Sequence, residues 1–168
     1  PSARVAAEFI AGGALGDIRA LHCRAHSSPG GPPGRTPPPW RQNKALNGGG
    51  ILVNWGCYDM DYLLGLAGWS LKPKTVLART WPALPQFSAH VAPGSDADSH
   101  YSAFILCEDD AVITLERGEC MAAHTQDAWQ IVGTKGSLRL HMTPAEGKKI
   151  IHDDGSSGEG IVSTTIWE

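Results

Sequence analysis

Between Gly48-Gly49-Gly50 and Gly68 runs the segment ILVNWGCYDMDYLLGLAG, and whatever else the chain builds must accommodate it. Val53, Cys57, Met60 and Leu64 recur at i, i+4, i+7 and i+11, the spacing of a single apolar stripe on an α-helix, which predicts their burial. Rotated from that stripe, Asn54, Tyr58 and Asp61 fall on a second line along the same helix. On a helix otherwise nearly all apolar, three polar side chains in a row must face a pocket or a partner, or bear the cost of desolvation. The second line is therefore a candidate site. Its other reading is a polar helix face that only bonds neighbouring backbone groups.

The flanking pattern supplies a sheet for this helix to cover. Residues 3–11 carry Val5, Ala6 and Phe9 at helical spacing and stop at Gly12-Gly13. Residues 17–26 alternate, with Leu21, Cys23 and Ala25 on one side and His22, Arg24 and His26 on the other, as a half-buried strand requires. Residues 27–47 hold six prolines and no sustained period, which predicts a long irregular loop. Strands are expected over 73–81, 99–107, 111–117, 128–133, 136–141 and 149–152, with a loop over 82–98 and a strand-like pattern in 161–168. The turns Glu108-Asp109-Asp110 and Thr134-Lys135 would close two successive antiparallel hairpins. This order predicts an α+β fold: one predominantly antiparallel, mixed β-sheet with helices packed on one face. The other face is left available for oligomerisation.

Composition narrows the partners. The 168 residues suit one domain. Lys and Arg number 14 against 17 Asp and Glu, a net charge of −3, so no cationic face is expected for nucleic acid or an anionic membrane. The apolar runs at 51–53 and 103–107 fall far short of the roughly 18 residues a membrane-spanning helix needs, and no basic-then-apolar leader opens the chain. The expectation is a soluble, cytoplasmic protein. Cys23, Cys57, Cys107 and Cys120 stand apart, each in or beside an apolar segment, which predicts buried free thiols and no zinc site. A first residue that is not Met, and a last segment that breaks off in a strand-like pattern, suggest a piece of a longer protein.

Four further features bear on chemistry. The triple glycine ahead of the helix could let a ligand approach a positive helix N-terminus, or could be a tight loop-to-helix junction. Gly12-Gly13-Ala14-Leu15-Gly16 has the glycines of a dinucleotide fingerprint but follows a helix and precedes a strand, the reverse of what a phosphate needs. Asp96, Asp98 and His100 alternate as metal ligands could, but sit between a Gly-Ser turn and a strand start, which favours a solvated loop and no metal. Trp40-Arg41 at the end of the proline-rich loop could clamp a ligand by stacking plus a charged hydrogen bond, or could be a snorkelling Arg beside a half-buried Trp.

Taken in order, these pieces resemble the C-terminal domain of the glucose–fructose oxidoreductase / inositol dehydrogenase / MocA family of NAD(P)-dependent oxidoreductases. "AGGALGDIRALHCR" resembles the family's G-x-(I/L)-G-x-I strand, and "WRQNKALNGGGILVNWGCYDMDYLLGLAG" its W-R…G-G-G-x-L-x-D-x-G-x-H-x-x-D helix. "AFILCEDDAVITLERG" followed by "WQIVGTKGSLRL" resembles its closing strands and hairpin. The resemblance implies that residues 1–168 are a substrate-binding and oligomerisation domain. The NAD or NADP, and a lysine in an E-K-P motif, would belong to a Rossmann domain absent from this chain, so the fragment alone is expected to be inactive.

The family's helix Asp falls on Asn54 and its helix His on Tyr58, while Asp61 matches the later Asp. Tyr at that position resembles the glucose–fructose oxidoreductase branch. A neutral amide at 54 can orient a hydroxyl but cannot share a proton or hold a cationic lysine. The implied activity is hydride transfer between nicotinamide and a secondary alcohol or ketone of a sugar-like or polyol substrate. Tyr58 and Asn54 would be catalytic, and Trp40, Arg41 and Asp61 would bind substrate. Homo-oligomerisation through the sheet face is also implied. Two other readings stay open: a non-catalytic ligand sensor of the same fold, and a stand-alone oligomerisation module.

Overall fold

The alternation of residues 17–26 sets the plane of the molecule. In the computed structural model, which describes residues 2–35, 37–142 and 147–168, strand β1 (Ile18–His26) buries Leu21, Cys23 and Ala25 and turns His22, Arg24 and His26 the other way. Around it lie β2 (Pro73–Trp81), β3 (His100–Cys107), β4 (Val112–Gly118), β5 (Gln126–Gly133), β6 (Gly136–Leu140), β7 (Ile150–Asp154) and β8 (Val162–Trp167). They form one eight-stranded sheet in the order β2-β3-β4-β1-β5-β6-β7-β8. Each neighbouring pair is antiparallel except β1 with β4, which run parallel, so the sheet is mixed as the pattern predicts. Both expected hairpins, β3–β4 and β5–β6, are present.

Register carries the alternation across the strands. Leu21 sits between Ile113 and Ile131, and Cys23 between Leu115 and Trp129, so one face is a continuous apolar surface. Helices α1 (Ser2–Ala11) and α3 (Cys57–Leu66) cover it, bringing Ala6, Leu63, Leu64 and Leu66 into the core. On the opposite face exposure is greatest at β2, which is exposed along its whole length. Across that face run Leu77, Phe104, Thr114 and His22 in one row and Arg79, Ser102, Glu116 and Arg24 in the next. Leu77 and Phe104 are exposed there.

The central helix departs from the sequence expectation in one respect. Residues Leu52–Gly56 form a π-helical turn that leads into α3. Ile51, Gly56, Asp59, Leu63 and Leu66 trace one buried line, with Leu64 and Ala67 buried beside it; the first step of that line, five residues, is one wide turn, and its later steps of three and four are ordinary α-helix. That extra residue rotates the faces. Val53 and Cys57, predicted to be buried, are exposed, and Met60 is half-buried; of the predicted stripe only Leu64 reaches the core. Of the four free thiols, Cys23 and Cys107 are buried as expected, while Cys120 is partly exposed. Residues 44–47, read as loop, make a single helical turn, α2 (Lys44–Asn47), capped by the Asn43 side chain on Leu46 N–H.

The glycine triplet proves to be a junction. A Cβ on Gly50 would lie 1.8 Å from the Asp98 carbonyl oxygen, so only glycine allows the approach. Through that contact the Asp98 carboxylate accepts from Gly50 N–H (3.1 Å) and Leu52 N–H (2.9 Å), and the Asp98 carbonyl from Ile51 N–H. The helix N-terminus is thus occupied by the protein's own anion. Asp96 does the same at α2, accepting from Lys44 N–H at 2.8 Å. The carboxylates read as loop residues or metal ligands are helix caps.

Asp98→Ala should lower stability by about 1–2 kcal/mol, the usual cost of a lost cap, seen as a lower denaturant midpoint at unchanged slope. Asp98→Asn, which keeps one acceptor, should lose less. Equal midpoints for wild type and Asp98→Ala would remove the cap from the account.

Candidate active site

The π turn that rotates the helix also decides which polar residues meet. Asn54 and Tyr58, four apart and one on each side of the junction with α3, stay on the outward side, where Tyr58 is 58% exposed. Together with Arg41, Trp55 and Met142 they border an open hollow of about 520 Å³. Three of the residues singled out from the sequence, Asn54, Tyr58 and Arg41, therefore meet at one place. Trp40 (47% exposed) and Asp61 (exposed) do not border it.

Arg41 arrives from far along the chain because its loop is tied down next to it. The buried Gln42 carbonyl accepts from Asp96 N–H and Ala97 N–H, both 3.1 Å, which fixes the end of the proline-rich loop to the segment that caps the helix. Asn47 donates from its side-chain amide to the Arg41 carbonyl, and the Arg41 guanidinium pairs with Glu119 just past β4. On the opposite side, the Tyr62 hydroxyl donates to the His141 carbonyl at 2.9 Å, anchoring the helix beside Met142. Burial pushes the Tyr62 phenol up to about 12, so it acts only as a neutral donor.

Below the hollow lies a buried ionic cluster that the sequence reading missed. Asp59 is 0% exposed and accepts both Arg117 Nε–H (2.6 Å) and a terminal N–H (2.7 Å), a bidentate pair between α3 and β4. The Tyr101 hydroxyl also donates to Asp59, at 3.3 Å. Burial opposes the Arg117 cation, but the hydrogen bonds and charge of Asp59 outweigh it and hold the guanidinium above its ordinary range. Burial, reinforced by the same carboxylate, pushes up the Tyr101 phenol and the Cys23 thiol, so both stay protonated. Gly56 makes the approach possible: a Cβ there would stand 3.1 Å from the Tyr101 hydroxyl. Arg117 also lies 4.9 Å from the centre of the Trp55 ring, and Trp55 is 5.6 Å from Tyr58 at 59°.

A signal for this cluster was present. Ile113, Leu115 and Arg117 share one side of β4, so Arg117 points into the core and needs a carboxylate there. Its partner was hidden by the π turn, because straight α-helical spacing does not put Asp59 on the buried face.

The glycines at 12–16 serve a turn. They join α1 to β1 and close on the β5–β6 turn, where a Cβ on Gly16 would strike the Thr134 hydroxyl, and Lys135 N–H bonds the Leu15 carbonyl. Among the described residues no group of three or more His, Cys, Asp or Glu is placed to hold a metal, and no helix is long and apolar enough to cross a membrane.

The profile of the GFO/IDH/MocA C-terminal domain matches residues 3–139. The chain belongs to the Gfo/Idh/MocA family. No curated protein sequence matches it. Among solved structures, levoglucosan dehydrogenase in complex with NADH and levoglucosan superimposes with a TM-score of 0.78 at 20% identity, over 100% of this chain and 44% of that one. An NAD binding oxidoreductase from Klebsiella pneumoniae gives 0.73 at 20% identity, over 99% and 44%. Aldose-aldose oxidoreductase from Caulobacter crescentus complexed with glycerol gives 0.67 at 18%, over 97% and 43%. The chain therefore spans less than half the length of these Gfo/Idh/MocA relatives. At such identities the likeness is one of fold.

Arg117→Met, which strands Asp59 without its cation, should destabilise the protein by about 3–5 kcal/mol in denaturant unfolding. The paired change Asp59→Leu with Arg117→Met should cost far less, because no buried charge remains. If the single and double variants unfold alike, the pair is not the tie described.

Proposed function

We propose that residues 1–168 form the substrate-side half of an NAD(P)-dependent oxidoreductase. The reaction is reversible hydride transfer between nicotinamide and a secondary alcohol or ketone of a sugar-like or polyol substrate. The observation that carries this reading is the meeting of Tyr58, Asn54 and Arg41 around one open hollow. Family membership supports it, as do the complexes of levoglucosan dehydrogenase with NADH and levoglucosan or L-sorbose.

Hydride chemistry would be supplied by a nicotinamide held mainly by a Rossmann half outside this chain, as the family resemblance implies. Tyr58 moves the hydroxyl proton of the substrate, its phenol assisted by a lysine from that other half. The Asn54 amide, one turn away, orients the reacting oxygen by accepting from a hydroxyl or donating to a carbonyl. Arg41, held by Glu119, offers N–H donors at the rim. Trp40 and Asp61, outside the hollow, would reach substrate only through a larger ligand or the missing half. The four free thiols accord with a cytoplasmic location.

In the full-length protein, Tyr58→Phe should lower kcat by about 10²–10⁴, as removal of an acid/base group does, with the NAD(P)H signal as readout. A rate within about threefold of wild type removes Tyr58 from the mechanism. The substitution of Asn for the family's Asp at 54 favours one second reading, a ligand sensor of the same fold. Cofactor binding by the full-length protein with no hydride transfer to any sugar or polyol would support that reading.

The sheet face opposite the helices, with Leu77 and Phe104 exposed, is proposed as the contact between two or more copies of the protein. Phe104→Glu should shift the full-length protein to a smaller species in light scattering at unchanged circular dichroism. An unchanged mass would place the contact elsewhere.

A further inference from the structure

Trp55 borders the hollow but has no part in the proton transfer assigned to Tyr58. Its ring is fixed from one side: the Arg117 guanidinium lies 4.9 Å from its centre, and Arg117 is itself held by two hydrogen bonds to the fully buried Asp59. Arg117 does not border the hollow. The Tyr58 ring meets the indole at 59° and 5.6 Å, so the two aromatics make an open corner rather than a closed stack. Arg41 and Asn54 supply the polar groups at the border of the same hollow.

We propose that Trp55 is the wall against which a ring-form sugar or cyclic polyol lays its apolar C–H face, and that Arg117 is a positioning residue that holds the indole there. This rests on the reading of the hollow as the substrate site. A pyranose or inositol ring has what the corner demands, a flat C–H face for the indole and a rim of hydroxyls for Arg41 and Asn54. An acyclic polyol has no lasting flat face to offer. The oxidised nicotinamide ring is the other flat candidate, but it carries positive charge, and a cation already engages this indole. A neutral ring is therefore the better occupant.

The test uses the full-length protein labelled with 5-fluorotryptophan, the ¹⁹F resonance lost in Trp55→Phe being that of Trp55. The cyclic compounds glucose, levoglucosan and myo-inositol are titrated against acyclic sorbitol, with NAD⁺ alone as a separate arm. A shift of the Trp55 resonance with at least one ring compound but not with sorbitol supports the proposal. No shift with any ring compound, an equal shift with sorbitol, or a shift with NAD⁺ alone overturns it.

In turnover of the ring substrate, Trp55→Leu should raise KM about tenfold with kcat within about threefold, and Trp55→Phe should restore most of the KM. The folded double variant Asp59→Leu with Arg117→Met should raise KM in the same way. A KM unchanged in that variant overturns the positioning role of Arg117. A wild-type protein whose Trp55 resonance shifts with a ring sugar, yet which reduces no NAD⁺ or NADP⁺ with any of these compounds, sinks the oxidoreductase reading while supporting the stacking wall.

Discussion

A carboxylate with no access to water must be matched by a cation, and in this fold the match between Asp59 and Arg117 joins the two layers. It is a charged tie between α3 and the sheet, set against a cluster of buried apolar side chains. Apolar packing alone would let a helix slide or turn by a fraction of a residue at little cost. A bidentate pair allows one register, and the outward face of the helix inherits that precision. Everything that borders the hollow on the helix side is placed by a contact made on its opposite side.

The N-terminal end of the same helix is set by a different device. Asp98 holds three backbone N–H groups with one carboxylate and one carbonyl, at a glycine that lets the two backbone segments nearly touch. Since Gln42 is bonded to the neighbouring residues 96 and 97, the cap, the loop that carries Arg41 and the helix that carries Tyr58 form one connected unit. The proline-rich loop is irregular, but its site-bearing end is not free.

Much of the fold was legible in the sequence because its strands alternate cleanly. The boundaries of β2 coincide with those read from the pattern, and the inward Leu21, Cys23 and Ala25 are the residues found buried. The family resemblance was legible for the same reason, from the order of glycine, strand and helix motifs. What failed was local: a single π-helical turn, invisible to a 3.6-residue period, moved Val53 and Cys57 outward and Asp59 inward. The border of the hollow was legible in part. Asn54 and Tyr58 lie four apart and so stayed neighbours across the wide turn, whereas Asp61, three further on, left the group. Trp55, Met142 and Glu119 could not be found by pattern, because nothing in one dimension says which loops share an end of the sheet.

The single parallel pair in the sheet answers that last point. Because β1 and β4 run side by side in one direction, the segments leaving them emerge next to each other, although they are more than ninety positions apart in sequence. Ser27 N–H bonds the Gly118 carbonyl, and Arg41 of the first segment reaches Glu119 of the second. A change of length or charge in either connection is therefore felt by the other. Reshaping the rim therefore calls for compensating edits in two distant stretches of the gene at once.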